Sequence, residues 1–327
     1  MSTAYTLAID IGGTKLISAL IDATGHLLQD SLARETTGTS ESASLVSRLR
    51  AAVSYSSNGL PDGGVLDGIG ISCAGPIDHA RGTTACANLP GLAGIDLRSL
   101  VSNTLAKVSN ESVHHGFNNA ARQITREDVM LAHDGTCAVV GEHWVGAARE
   151  TRNAMAIVVS TGVGGGIIIG GRPLRGKTGN CGHIGQIQVG PREPGATSLT
   201  ATLEHRASGP AATDWAAARG WTGSSGVALA RDAGNGNRIA LAAVRRSAIF
   251  VGEAVASMCA LLDLEVVTIG GGFSQAAPNY VTTVADTARE CAFLPHAASA
   301  EILRSSLGDN GSLIGAAALV KRHTGHG

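Results

Sequence analysis

Two acidic residues in glycine-rich surroundings offer the clearest chemistry in this sequence. Asp10 closes a short apolar run, residues 7–11, and leads into Gly12-Gly13-Thr14-Lys15. Glycine lacks a Cβ, so backbone N–H groups in such a turn can approach phosphate oxygens closely. The Asp10 carboxylate suits Mg²⁺ held through water, because Mg²⁺ sheds its hydration reluctantly. A plain hairpin turn fits the same residues. Asp134 stands in Leu131-Ala132-His133-Asp134-Gly135, where an apolar stretch meets the start of a predicted helix. A carboxylate there can take the proton from a hydroxyl attacking a phosphoryl group, or it can cap the helix.

Three further clusters have related composition. Ser160-Thr161-Gly162-Val163-Gly164-Gly165-Gly166 follows an apolar run, so Thr161, Gly162, Gly164 and Gly165 form a second candidate phosphate loop. Two such loops, each between apolar strands and in different halves of the chain, suit two jaws around a polyphosphate. Neither is a P-loop or a dinucleotide fingerprint, since G-x-x-x-x-G-K-[ST] does not occur and the second cluster lacks G-x-G-x-x-G. Gly270-Gly271-Gly272 ends another apolar run. Its Gly271 and Gly272 can let an adenosine lie against the backbone, or can serve close helix–sheet packing. Within Gly179-Asn180-Cys181-Gly182-His183-Ile184-Gly185-Gln186, the polar groups of His183 and Gln186 suit sugar hydroxyls, though a lone His packs inside a protein as readily.

The elements that must position these groups follow from periodicity and punctuation. Residues 7–11 and 16–21 read as a hairpin, with a possible third strand at 26–33. Helical spacing runs from 40 to 56, with Ser40 as N-cap, and residues 66–72 read as a buried strand. Residues 108–126 are polar and read as an extended loop or crossing. A helix over 135–148 precedes a second strand–glycine–strand unit at 154–169, which repeats the design of 7–21. A helix plus loop occupies 208–236, a long amphipathic helix 239–262, a strand 265–269 and a terminal helix 313–322.

The 327 residues exceed one ordinary core and suit two lobes sharing a cleft. At 44% hydrophobic and 16% charged, the chain is globular, and a net charge of -1 gives no field for nucleic acid. The six cysteines form no C-x-x-C or C-x-C pair, so neither a disulfide framework nor a zinc knot is expected from their spacing. No signal peptide or membrane-length apolar run is evident, so no membrane contact is expected and the expected compartment is the cytoplasm.

In order and spacing these pieces resemble the ROK family of bacterial sugar kinases and sugar-responsive repressors. The motifs lie at 7–21, 70–76, Asn88-Leu89-Pro90-Gly91, 134–146, 159–190, 203–209, 266–273 and 315–320. The resemblance implies an α/β, actin-like (ribonuclease H-like) fold of two lobes, each with a mixed five-stranded sheet. It places the N-terminal lobe at 1–125, with a C-terminal helix at 305–327 packed on it, and the nucleotide and sugar lobe at 126–304. It implies ATP and Mg²⁺ as cofactors, with Asp10, Gly12, Gly13, Thr14 and Lys15 serving phosphate and metal. Thr161, Gly162, Gly164 and Gly165 become the second phosphate loop, and Gly271 and Gly272 the adenosine site. Asp134 matches the family's catalytic base, and Gly75, Asn88, His133, Asp134, His183, Gln186 and Glu204 fall in the sugar pocket. A homodimer is the family habit.

Departures from the family pattern refine the expectation. An Asn-Asp pair at the base is replaced by His133-Asp134. G-E-x-G-H becomes Gly182-His183-Ile184-Gly185-Gln186, so the family's zinc-ligating His is Gln186. The family's C-x-C-G-x-x-G-C cysteines do not occur between 189 and 204, so no structural zinc is expected. G-H-I-G, LAIDIGGTKLISAL and VSTGVGGG look like bacterial N-acetylmannosamine kinases, which makes that sugar the favoured acceptor at its 6-hydroxyl. Glucose or another hexose as acceptor, polyphosphate as donor, and a sugar-binding protein with weakened catalysis are the competing readings. The repressor branch carries a helix-turn-helix ahead of the first glycine loop, for which the nine residues before Asp10 leave no room.

Overall fold

The structure, a computed structural model, describes residues 3–37, 42–86, 89–114, 124–190 and 197–324. They fall into two compact units. Unit 1 takes in the chain up to Val145, the segment Arg175–Cys181 and the chain from Asn310 onward; unit 2 is Gly146–Leu174 and Gly182–Asp309.

Unit 1 begins with β1 (Ala4–Ile11) and β2 (Lys15–Asp22), an antiparallel pair whose turn is closed by the Gly12 N–H on the Lys15 carbonyl at 2.9 Å. β3 (Ala33–Thr36) adds to β2, α1 (Ser42–Asn58) follows, and β4 (Val65–Cys73) returns parallel to β1. A small hairpin of β5 (Ile77–Asp78) and β6 (Thr83–Thr84) precedes α2 (Leu97–His114). Then β7 (Val129–His133) lies parallel to β4 and runs straight into α3 (Asp134–Val145). The sheet order is β3-β2-β1-β4-β7.

Strand alternation divides the sheet's two faces. Leu7, Ile9 and Ile11 on β1 join Ile69 and Ile71 on β4 in one cluster with Leu45, Leu49 and Val53 of α1 and Leu97 and Val101 of α2. The intervening positions are small or polar: Ala8 and Asp10 on β1, Gly68, Gly70 and Ser72 on β4. That narrow face accepts the C-terminal helix described below.

Unit 2 repeats the plan. β8 (Ala154–Val159) and β9 (Val163–Ile169) form an antiparallel hairpin, and β10 (Arg172–Pro173) extends it. α4 (Leu203–Ala207), α5 (Gly209–Ala217), α6 (Gly226–Gly234) and the long α7 (Arg238–Leu262) come next. β11 (Val266–Gly270) lies parallel to β8, and after α8 (Tyr280–Cys291) and α9 (Pro295–Ala298), β12 (Glu301–Arg304) completes the order β10-β9-β8-β11-β12. The last helix, α10 (Gly311–Thr324), belongs to unit 1 and packs on α3, β1 and β4.

Several elements differ from the sequence reading. The third strand lies at Ala33–Thr36 and not at 26–33, because Ser31 Oγ accepts from Leu20 N–H at 2.8 Å and donates to the Leu28 carbonyl at 2.7 Å, which holds residues 29–31 in a 3-10 turn. The stretch expected to be irregular from 108 is helical to His114, in a helix whose first turn is capped by the Asp96 carboxylate on the Arg98 and Ser99 N–H groups. The division expected after 125 falls ahead of β7, yet β7 is the fifth strand of the first sheet, so it and α3 belong to unit 1. Ser40, read as a helix cap, lies outside the described residues.

Candidate active site

The parallel strands of unit 1 end level with one another. Asp10 is the register partner of Ser72, and Ser72 of Ala132; one residue on, Ile11, Cys73 and His133 pair across the same three strands. Ligands of open α/β sheets bind at the carboxyl ends of the strands, and here those ends carry Asp10 and Asp134. Asp10 is 8% exposed, and the buried Ser72 hydroxyl donates to its Oδ1 at 2.6 Å. The turn Gly13-Thr14 beside it is exposed. Lys15 opens β2 opposite Thr36.

Asp134 is the first residue of α3, and its side chain is 42% exposed. Its Oδ1 accepts from the Gly135 N–H at 2.8 Å, so the carboxylate takes up a bond at the helix start and still reaches solvent. Beneath it, burial, then the Asp134 carboxylate among the neighbouring charges, push the Cys73 thiol far up. The Cys137 thiol is likewise pushed well up, by burial first and then by Asp10. Both thiols stay protonated and neutral.

His133 departs from the expectation of a sugar-facing side chain. It is 2% exposed, with Nε2 at 2.8 Å from the Cys181 carbonyl oxygen and at 2.8 Å from Thr136 Oγ1. Gly75 follows β4 and is partly exposed, while Asn88 lies outside the described residues.

In unit 2 the second glycine cluster divides between a turn and a strand. Thr161 and Gly162 form the turn, closed by the Ser160 N–H on the Gly162 carbonyl at 2.8 Å. Gly164 and Gly165 lie inside β9, opposite Val158 and Ile157. Glu204 reaches this turn: its Oε2 accepts from the Val163 N–H at 3.0 Å, and a Cβ on Gly162 would meet that same oxygen. Gln186 Nε2 stands 3.5 Å from Glu204 Oε1. His183 precedes the 3-10 turn Ile184–Gln186, which lies so close to β9 that a Cβ on Gly185 would strike the Val163 carbonyl. Gly271, at φ +90, sits against Val159, where a Cβ would strike backbone, and Gly272 is exposed. The start of α5 joins these pieces, since the Gly209 N–H donates to the Ser160 carbonyl at 2.9 Å while Gly209 and Gly226 both pack on the Phe273 ring.

The structure thus brings Asp10, the 12–15 turn, Gly75 and Asp134 to one sheet end in unit 1. In unit 2 it brings Thr161, Gly162, Glu204, Gln186 and Gly271 to another. Ser72, Gly209 and Phe273 were not legible as site residues. Ser72 left one signal, a hydroxyl near the end of a buried strand, which is unusual without a partner to satisfy it.

Two sheets of one topology, each presenting polar groups and glycine turns at its strand ends, define the α/β fold of the sugar kinases. The chain belongs to the ROK family, whose model matches residues 6–323. It is 29% identical to a glucokinase of Halalkalibacterium halodurans, over 98% of this chain and 96% of that protein. It is also 29% identical to an N-acetylmannosamine kinase of Escherichia fergusonii, over 97% of this chain and 98% of that one. Among solved structures, a ROK glucokinase from Streptomyces griseus in complex with glucose and AMPPNP superposes with a TM-score of 0.78 at 26% identity, covering 97% of this chain and 99% of that one.

Proposed function

We propose that the protein transfers the γ-phosphoryl group of ATP to the 6-hydroxyl of a hexose or N-acetylhexosamine, with N-acetylmannosamine the favoured acceptor. The observation that carries this reading is the half-open Asp134 carboxylate at the end of β7, in register with a sheet end that also holds Asp10 and the glycine turn. Asp134 takes the proton of the attacking hydroxyl as the sugar oxygen bonds to phosphorus and the bond to the ADP oxygen breaks. Backbone N–H groups of Gly13 and Thr14 and of the 161–162 turn meet the charge on the phosphoryl oxygens. Glu204, Gln186 and His183 bind sugar hydroxyls, and Gly271 and Gly272 leave room for adenosine. Asp10 fits Mg²⁺ by its donor chemistry, a hard carboxylate oxygen held in place by Ser72. When bound there, the ion neutralises phosphate charge.

The two curated relatives stand at equal identity and carry different acceptor names. Gly182-His183-Ile184-Gly185 favours N-acetylmannosamine over glucose, by its likeness to the kinases of that sugar. An ADP-release screen over hexoses and N-acetylhexosamines, with ATP and polyphosphate as donors, tests the reading. N-acetylmannosamine with ATP is expected to give the highest kcat/KM; a glucose preference would reassign the acceptor, and no sugar-dependent ADP release would remove the kinase assignment. Asp134→Asn is expected to keep the fold and lose at least about 100-fold in turnover. Near-normal turnover in that variant would take Asp134 out of the base role.

A further inference from the structure

We propose that His133 is a positioning residue: it ties the start of α3, and with it Asp134, to the segment Arg175–Cys181 of the same unit. The proposal rests on the sugar-kinase reading of Asp134.

The bonding pattern fixes how the imidazole is used. A carbonyl oxygen only accepts, so the Nε2 that stands 2.8 Å from the Cys181 carbonyl carries the ring hydrogen. Thr136 Oγ1, also at 2.8 Å, shares that hydrogen. Nδ1 is then the acceptor, and the Thr136 N–H points to it at 3.4 Å. The same nitrogen lies 4.0 Å from Asp134 Oδ1. The ring therefore spans the first turn of α3 on one side and the backbone of residue 181 on the other. No open surface is involved, because the side chain is 2% exposed.

The segment it grips is also held through Asn180 and Gly179. Asn180 makes a two-way bond with the backbone of Ile77, Oδ1 accepting from the N–H and Nδ2 donating to the carbonyl, each at 2.8 Å. His79 Nε2 lies 3.3 Å from the Gly179 carbonyl. Both of those points belong to the β5–β6 hairpin region. Among these contacts, the one from His133 joins the segment to the residue next to the base. Cys181 is bonded directly to Gly182, whose φ of +110 turns the chain into His183. One side chain thus fixes the backbone beside the proton acceptor and the backbone of Cys181.

A core side chain that merely filled space would be replaced by any residue of similar bulk. A tether needs an N–H at the reach of Nε2. Glutamine places an amide N–H at that reach; asparagine stops near the position of Nδ1. The test compares His133→Asn with His133→Gln in the full chain. For the Asn variant, kcat/KM for the sugar is expected to fall about 30- to 100-fold while KM for ATP stays within about twofold, and the Gln variant is expected to recover to within about fivefold of the parent. Amide exchange over 175–186, measured without substrate, is expected to quicken in the Asn variant and to stay near the parent rate in the Gln variant. Equal losses in both variants, a fully active Asn variant, or unchanged exchange over 175–186 would overturn the proposal. If the Asn variant does not fold, the Gln variant decides: a loss of sugar kcat/KM as large as that given above, with a parental melting temperature, would refute the tether. The exchange arm needs no turnover, so a chain that phosphorylates no sugar defeats the kinase reading while the tether is still judged on its own.

Discussion

At the scale of single residues, the Asp10–Ser72 pair shows how the site is held. The bond is short at 2.6 Å and both partners are buried, so its charge-assisted character is not diluted by water. Removing the hydroxyl in Ser72→Ala is expected to cost about 2 kcal/mol of stability. If Asp10 serves Mg²⁺, the half-saturating Mg²⁺ concentration is expected to rise by about tenfold as well, since such supporting bonds set ligand orientation. Titration of activity against Mg²⁺ checks this, and an unchanged Mg²⁺ requirement would mean that Asp10 does not hold the ion. The places of Asp10 and Asp134 at strand ends were legible because each closes an apolar run beside glycine. The direction of His133 was not, because the sequence fixes its neighbours along the chain but not the Cys181 carbonyl that receives its N–H.

At the scale of elements, backbone contact decides what the sheet end looks like. α10 lies on the glycine face of β4 and against α3 so closely that a Cβ on Gly70 would enter the Ala316 carbonyl, and one on Gly315 the Cys137 carbonyl. Ser312, in the first turn of α10, stands 3.4 Å from the Asp134 carbonyl, so the helix also abuts Asp134. For Gly315→Ala two effects compete. Helix propensity favours alanine by about 1 kcal/mol. Overpacking costs about 1–3 kcal/mol, and the upper end applies because the obstructing atoms are backbone. The substitution is therefore expected to destabilise by about 2 kcal/mol net, read as a lowered urea midpoint; a stabilised variant would contradict the close approach. The small residues of α10 fit a tight seat, and the surface they sit on is assembled from β4 and α3, which are far away along the chain.

At the scale of the whole molecule, the chain builds one sheet plan twice, and β1–β2 and β8–β9 are the corresponding hairpins. A glycine turn joins the two strands in each, which is why the repeat is visible in composition although the flanking helices differ. Zinc is a separate matter at this scale. A tetrahedral site needs four ligands, and no cysteine falls between 182 and 258. In that part of unit 2, α4 is fastened to α7 by other means: Arg206 and Arg246 lie 5.6 and 4.7 Å from the centre of the Phe250 ring, and Arg246 Nη1 donates to the Arg206 carbonyl at 3.0 Å. Metal analysis of the purified protein is accordingly expected to find less than one zinc per chain, and a stoichiometric zinc would reveal ligands that this reading lacks.

What the sequence determined by itself was the strand–glycine–strand hairpins, the acids at Asp10 and Asp134, the long α7 and the ROK membership. Each of these depends on local periodicity, on punctuation by glycine, or on the order of motifs along one chain. The tertiary structure alone decided that β7 and α3 complete the first unit, that residues 175–181 return to it, that Ser72 holds Asp10 and that His133 turns inward. Those facts follow from strand register and from hydrogen bonds between residues dozens of positions apart. Nothing in the local pattern of the chain encodes them, because a backbone carbonyl offers the same acceptor at every position until folding chooses its partner.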